Sequence, residues 1–122
     1  MTFKKGYKIN SYTDDLQYNL AHCIGKNTVE IYEDTRTDKL IGLYHFGSLI
    51  AVYNENINAM FYNFKYYDYS NSTGRVRNAF SRYMMGFAPK LYDLRSIENK
   101  EEYITYDTIF GRYDIFVVNI DE

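Results

Sequence analysis

The chain has 122 residues, a length that fits one domain, and its 14 Lys and Arg against 16 Asp and Glu give a formal net charge of −2. With 46% hydrophobic and 25% charged residues, the composition suggests neither a disordered nor a membrane protein, and the small net charge indicates no strong overall attraction to nucleic acid. The unusual feature is the aromatic content of 19%, which comes from 15 Tyr and 8 Phe. Tyrosine suits strands but is also common at interfaces, so we expect part of this excess at the surface.

Cysteine usage and apolar run lengths indicate the compartment. A single cysteine, Cys23, excludes an internal disulfide framework and fits a reducing environment. The opening MTFKKGYKINSY lacks the apolar stretch of a signal peptide, and no run approaches the ~18 apolar residues that span a bilayer. We therefore expect a cytoplasmic protein that does not bind membranes.

The chain begins with a basic arm and a helix. Residues 1–11 predict either a frayed arm or a first edge strand. Thr13 is a candidate N-cap for a helix that ends at Gly25. Helical spacing places four apolar side chains on one face of this helix, namely Leu16, Leu20, Cys23 and Ile24.

Residues 28–67 have the pattern of an antiparallel sheet. Apolar and polar residues alternate in TVEIYED, and the following TRTDK contains good turn residues. Gly42 and Gly47 interrupt the β-prone run KLIGLYHFGSLIAVY, which predicts a bulge, a bend or a tight turn there. Together these segments predict a meander of three or four strands.

A second helix and a last strand follow the meander. Hydroxyl and amide residues in DYSNST offer N-caps for a helix that ends near Gly86, and Pro89 leads into a polar segment with room for one more helical turn. Residues 103–120 are β-prone, and residues 115–118 predict a buried strand that returns to the central sheet. The predicted fold is α+β: a single domain over residues 1–122, with an antiparallel sheet of about four to six strands and two main helices packed on it.

Few residues in the chain are suited to catalysis. His22 and Cys23 are adjacent and diverge on the predicted helix, and His45 lies far from them in a strand, so neither a zinc site nor a Cys-His pair is indicated. Gly25-Lys26 lacks the preceding glycine of a phosphate-binding loop. Adjacent carboxylates are typical of solvated charge, and they occur at Asp14/Asp15, Glu33/Asp34 and Glu101/Glu102. We therefore expect a binding protein with no cofactor, no metal and no catalytic residue, rather than an enzyme.

One cluster stands above the background of the sequence. Its members are Tyr66, Tyr67, Asp68, Tyr69, Arg75, Arg77 and Arg82. The hydroxyl-rich residues 70–73 lie between its aromatic and basic members and would start the second helix. Helix N-termini attract anions and arginine pairs with phosphate or carboxylate, so the cluster predicts a contact surface for nucleic acid or for an acidic patch on a protein. The alternative interpretation is a capped helix whose arginines pair with nearby carboxylates of the same chain.

The stretch GLYHFGSLIAVYNENINAMFYNFKYYDYSNSTGRVRNAF resembles a pattern of small uncharacterised proteins of phages and other mobile elements. The matching positions are Tyr44, Ile50, Ala51, Tyr69, Ser70 and Thr73. By analogy with anti-CRISPR inhibitors, the resemblance implies an anti-defence protein that acts in the host cytoplasm by binding a bacterial nuclease such as a CRISPR effector. Two alternatives stay open, a nucleic-acid-binding module that stacks bases on tyrosines and a phage structural or assembly protein. None of these patterns fixes the oligomeric state.

Overall fold

The computed structural model describes residues 1–20, 28–99 and 101–122. In chain order its elements are α1 (Asn10–Leu20), β1 (Val29–Asp34), β2 (Leu40–His45), β3 (Ser48–Asn54), β4 (Ala59–Asn63), α2 (Asn71–Met85), α3 (Leu91–Arg95), β5 (Tyr103–Thr108) and β6 (Gly111–Val118). The predicted α+β class, the number of strands and the two main helices are confirmed. Among the described residues, no helix is long and apolar enough to cross a membrane.

The six strands form one sheet with the order β1-β2-β3-β4-β6-β5. Strands β1 to β4 form the predicted meander, in which each strand pairs antiparallel with the next. Strand β6 pairs parallel with β4, while β5 pairs antiparallel with β6 at the edge of the sheet. The segment 115–118 therefore returns to the sheet beside the meander, as its apolar character predicts.

The core is divided between the two faces of the sheet. Helices α1 and α2 cover one face, where Leu16 and Phe80 join strand residues such as Leu43 in the larger apolar cluster. The other face carries a smaller cluster, which includes Phe3 from the N-terminal segment and Ile120 from the C-terminal segment. Because strand side chains point alternately to the two faces, neighbouring residues of one strand contribute to different clusters.

The N-terminal arm lies along the outer edge of β1 and is not frayed. Gly6 N–H donates to the Glu33 carbonyl at 2.9 Å, and Ile9 N–H donates to the Ile31 carbonyl at 2.8 Å. An uncovered edge would expose unpaired backbone groups, so the arm protects this side of the sheet from pairing with other chains. The segment is therefore neither the frayed arm nor the full edge strand that the sequence predicts as alternatives, because it pairs only through isolated bridges such as Lys8 with Tyr32.

Helix α2 has the end signals that its sequence predicts. Ser70 is the N-cap, and its hydroxyl oxygen accepts from Thr73 N–H at 3.2 Å. Gly86 is the C-cap at φ 85°, and its N–H donates to the Arg82 carbonyl at 2.9 Å. The polar segment after Pro89 contains the short helix α3, which is the further helical turn that the sequence predicts.

Two glycines, one inside α2 and one at its end, allow a paired test of this geometry. Gly86→Ala places a side chain at a left-handed residue, with Cβ 3.1 Å from the Phe110 ring, so we expect to lose about 1–2 kcal/mol of unfolding free energy. Gly74→Ala meets nothing beyond its own helix within 4 Å and should stabilise by about 0.5–1 kcal/mol. Urea unfolding measures both changes, and equal stability of the two variants would contradict the assigned C-cap.

Candidate functional site: a cationic groove beside helix α2

An open groove of about 690 Å³ lies between helix α2, the loop before it and the segment that leads into α3. We call it the α2 groove, and it is lined by residues 67–71, 74, 75, 77, 78, 82 and 88–91. The lining includes the N-cap Ser70, so the positive N-terminal end of α2 borders the groove. Its basic members are Arg75, Arg77, Arg82 and Lys90.

The structure brings most of the predicted cluster together. Six of its seven residues line the α2 groove, namely Tyr67, Asp68, Tyr69, Arg75, Arg77 and Arg82. The remaining residue, Tyr66, lines a neighbouring cavity, and Tyr69 borders both spaces. The rings of Tyr66 and Tyr69 meet edge to face with 5.7 Å between their centroids. The predicted residues thus share one continuous region of the molecule.

Arg75 and Arg82 are the exposed cations of α2. They lie seven residues apart and therefore on the same side of the helix. Lys90, which is also exposed, reaches the groove from the segment before α3. Within residues 1–20, 28–99 and 101–122, none of these three cations forms an ion pair. The groove therefore offers positive charge that no described carboxylate neutralises at contact distance.

Asp68 is the acidic residue of the groove, and it is already paired. Arg95 of α3 donates to Asp68 Oδ2 through Nε at 3.0 Å and through Nη2 at 2.8 Å. Both side chains are about half exposed, so the pair adds little stability, but it joins α3 to the loop before α2. Sequence reasoning misses Arg95 and Lys90 because only the tertiary fold brings their segment to the groove.

Arg77 differs from the other arginines because it is only 4% exposed. Its Nη1 donates to the Tyr67 carbonyl, and its Nε and Nη2 lie 3.3 and 3.0 Å from Asn78 Oδ1. The guanidinium also stands over the Tyr62 ring, 5.4 Å from the centroid. Burial lowers the pKa of Arg77, yet an arginine side chain stays charged in proteins. Arg77 therefore positions the loop at Tyr67 instead of offering a free cation to a ligand.

Of the histidines and the cysteine that the sequence singles out, the structure describes only His45. His22, Cys23 and the Gly25-Lys26 pair lie outside the described residues. His45 is buried at the end of β2, with Nδ1 3.2 Å from the Thr73 hydroxyl. No three His, Cys, Asp or Glu side chains in the described ranges are placed to hold a metal ion.

Comparison with protein-family models, with curated proteins and with solved structures found no match to this chain. The chemistry of the α2 groove follows from its own residues. It combines exposed cations, a helix N-terminus and an exposed tyrosine, and this combination suits the binding of an anionic partner.

Proposed function

We propose that this protein is a non-enzymatic binding domain whose α2 groove docks onto an acidic segment of a partner protein. The observation that carries the proposal is the convergence of Arg75, Arg82 and Lys90, which have no ion pair among the described residues, on one groove. The positive N-terminal end of α2 adds to their charge. Arginine pairs bidentately with carboxylates, so aspartate and glutamate side chains suit this surface.

An acidic protein segment suits the groove better than a long nucleic acid does. A phosphate backbone repeats its charge along the whole strand, and a protein that follows it uses a correspondingly long row of cations. Here the unpaired cations converge on a single groove, and the chain as a whole has a net charge of −2. Tyr69, which is 70% exposed beside these cations, supplies the aromatic contact that often anchors protein interfaces.

The resemblance to small phage proteins suggests which kind of partner the α2 groove binds. We extend the proposal to an anti-defence inhibitor that binds a bacterial nuclease such as a CRISPR effector. Nucleases commonly hold their metal ions with carboxylates, which are acidic surfaces of the kind that suits the α2 groove. Covering such a surface, or blocking the movement that carries it to the nucleic acid, stops cleavage without any catalytic residue in the inhibitor.

A double charge reversal tests this proposal in a nuclease inhibition assay. The protein is added to a panel of purified CRISPR effector nucleases, and cleavage of target DNA is measured together with the Kd of each complex. We expect inhibition of at least one nuclease. Arg75→Glu/Arg82→Glu should weaken that complex by roughly 100-fold or more, because two cations of the contact become repulsive.

The matched control is Lys39→Glu/Arg112→Glu, which changes the net charge equally at exposed residues outside the groove. Lys39 pairs with Glu55 and Arg112 with Asp114 at the surface, where such pairs add little stability, so the control should keep both folding and binding. If both double variants lost the same affinity for the nuclease, the loss would be due to the change in net charge and not to contacts in the α2 groove. If no nuclease is inhibited and single-stranded nucleic acid binds with an affinity that falls steeply with salt, nucleic-acid binding replaces this proposal.

A further inference from the structure

A second cavity, of about 310 Å³, lies where the β2–β3 hairpin meets the start of α2. We call it the His45 cavity. Its lining includes Phe46, Tyr66 and Tyr69, together with His45, Ser48 and Thr73. The volume is at the lower end of the roughly 300–1,000 Å³ range of small-ligand sites, so the cavity is sized for one compact group.

His45 gives this cavity an unused hydrogen-bonding atom. The side chain is only 4% exposed, and its Nδ1 lies 3.2 Å from the Thr73 hydroxyl. In the described part of the chain, His45 Nε2 is the one buried side-chain polar atom without a hydrogen-bond partner. Buried polar atoms are nearly always paired, because an unpaired one loses its hydration without compensation. His45 lines the cavity, so a ligand bound there that reaches Nε2 completes this bond.

The hydroxyl chain at the start of α2 favours one tautomer of the His45 ring. Ser70 Oγ donates to Thr73 Oγ1 at 3.0 Å, which leaves the proton of Thr73 free to point at His45 Nδ1. Burial lowers the pKa of His45, so the ring is neutral at pH 7 and carries one proton. With Nδ1 as acceptor, that proton resides on Nε2. In this tautomer the matching ligand group is a hydrogen-bond acceptor.

Phe46 is placed for contact with such a ligand. It has φ 50° in the turn between β2 and β3, and Gly47 follows at φ 77°. Positive φ at both residues is typical of a type I′ turn, which favours Asn, Asp or Gly and strains a bulky side chain. Asn58, the other non-glycine residue with positive φ in the described ranges, follows this preference. Phe46 does not follow this preference. It is 72% exposed, so burial of its side chain does not offset the backbone strain. The centroid of its ring lies 4.6 Å from that of His45.

The His45 cavity adjoins the α2 groove. Tyr69 lines both spaces, and Ser70 on the groove side is hydrogen-bonded to Thr73 on the cavity side. Asn71 and Arg75 line the groove within the first turns of the same helix. The two spaces thus meet at the start of α2, where a flat ring in one and an anionic group in the other can belong to one small molecule.

We propose that the His45 cavity and the adjoining part of the α2 groove bind a nucleotide. The base lies against Phe46 and Tyr69, and a carbonyl oxygen or ring nitrogen on its edge accepts from His45 Nε2. The phosphate lies at the N-terminal end of α2 beside Arg75. An indole side chain of a protein partner fits less well, because its N–H would face the donor of His45. This site does not depend on the partner protein proposed above.

Titration of the 122-residue chain with nucleotides tests the site. The probes are the nucleoside monophosphates, the matching nucleosides and inorganic phosphate, with NMR shifts of His45 and of the backbone amides as the readout. At least one monophosphate should bind at least tenfold more tightly than its nucleoside and than phosphate, because only it occupies both spaces. A nucleotide at this site could be a free molecule or the end of a nucleic acid strand, and a 5′-phosphorylated single strand distinguishes the two. Tighter binding of the strand than of the monophosphate assigns the site to nucleic acid, and weaker binding assigns it to a free nucleotide.

Phe46→Asn is the informative variant, because it removes the ring and relieves the turn. We expect at least a tenfold loss of nucleotide affinity with an unchanged or higher Tm. Tyr92→Ala, which removes an 81% exposed tyrosine outside both spaces, should keep the affinity. Binding of phosphate alone, no shifts at roughly 5 mM nucleotide, or full affinity in Phe46→Asn would each overturn the proposal. Phe46→Asn should still bind the protein partner whose binding Arg75→Glu/Arg82→Glu weakens. Failure of the nucleotide site can therefore be told apart from failure of the proposed function.

Discussion

Asp34→Asn is expected to lower the free energy of unfolding by about 2–3 kcal/mol at pH 7. Asp34 is buried, and its carboxylate accepts from Lys4 N–H at 2.9 Å and from Arg36 Nε and Nη2 at 3.0 and 2.8 Å. Asparagine removes the charge and replaces one carboxylate oxygen by an NH2 group. This hydrogen-bond donor then faces the donors of Lys4 and Arg36. The N-terminal arm and the β1–β2 turn lose a shared anchor, so urea unfolding should show a lower midpoint with an unchanged slope.

The same contacts make the contribution of Asp34 depend on pH. Hydrogen bonds from Arg36 and from the Lys4 backbone, together with the charge of Arg36, hold the pKa of Asp34 well below its usual value of 3.8. The unfolded chain takes up a proton near that usual value, whereas the folded protein does so only at lower pH. The contribution is therefore complete above about pH 5 and is lost as the pH falls below it. Between about pH 5 and pH 2, wild type should lose stability more steeply than Asp34→Asn.

The matched control for this prediction is Asp107→Asn. Asp107 is exposed in β5, and its side chain makes no ion pair with the described residues. We expect this variant to change the free energy of unfolding by less than about 0.5 kcal/mol. If the two variants lose the same stability and respond equally to acid, Asp34 does not anchor the arm.

Local signals predict some elements but not all of them: the N-cap predicted at Thr13 is wrong, because α1 begins at Asn10 and the Thr13 hydroxyl donates to the Ile9 carbonyl. Ser70 and Gly86 mark the ends of α2, and alternation marks the meander within residues 28–67, because caps and side-chain alternation depend on neighbours along the chain. The course of the N-terminal arm depends on distant bonds to Glu33 and Asp34, for which the sequence has no local signal. The interpretation of the Asp34 carboxylate as solvated charge is wrong for this reason, since the arm that contacts it cannot be located from the sequence.

The α2 groove is predictable in part for the same reason. Six of the predicted residues that line it lie within residues 67–82, so a contiguous pattern already contains them. Lys90 and Arg95 reach the site from a later segment and have no local signal. The His45 cavity is harder to predict from the sequence, because His45 and Thr73 meet only through the packing of α2 on β2.

Arg77→Ala is expected to lower the free energy of unfolding by about 3 kcal/mol. Truncation leaves the Tyr67 carbonyl and Asn78 Oδ1 without this donor and opens space over the Tyr62 ring. Arg77→Met fills much of that space without burying a charge, so its loss should be smaller, about 1–2 kcal/mol. Helical spacing predicts only that Arg77 lies to one side of Arg75 and Arg82 on α2. It cannot predict that the loop at Tyr67 covers Arg77, because that contact is tertiary.

Arg75→Ala is the matched control, because it removes the same kind of side chain from the same helix. Arg75 is exposed and has no ion pair within the described chain, so we expect a change of less than about 0.5 kcal/mol. Equal stability of the two alanine variants would show that Arg77 does not hold the loop. Amide hydrogen exchange across residues 64–70 should quicken in Arg77→Ala alone, since Arg77 binds the Tyr67 carbonyl. A partner in the α2 groove is then weakened by both variants for different reasons, through a lost contact at Arg75 and through a displaced loop at Arg77.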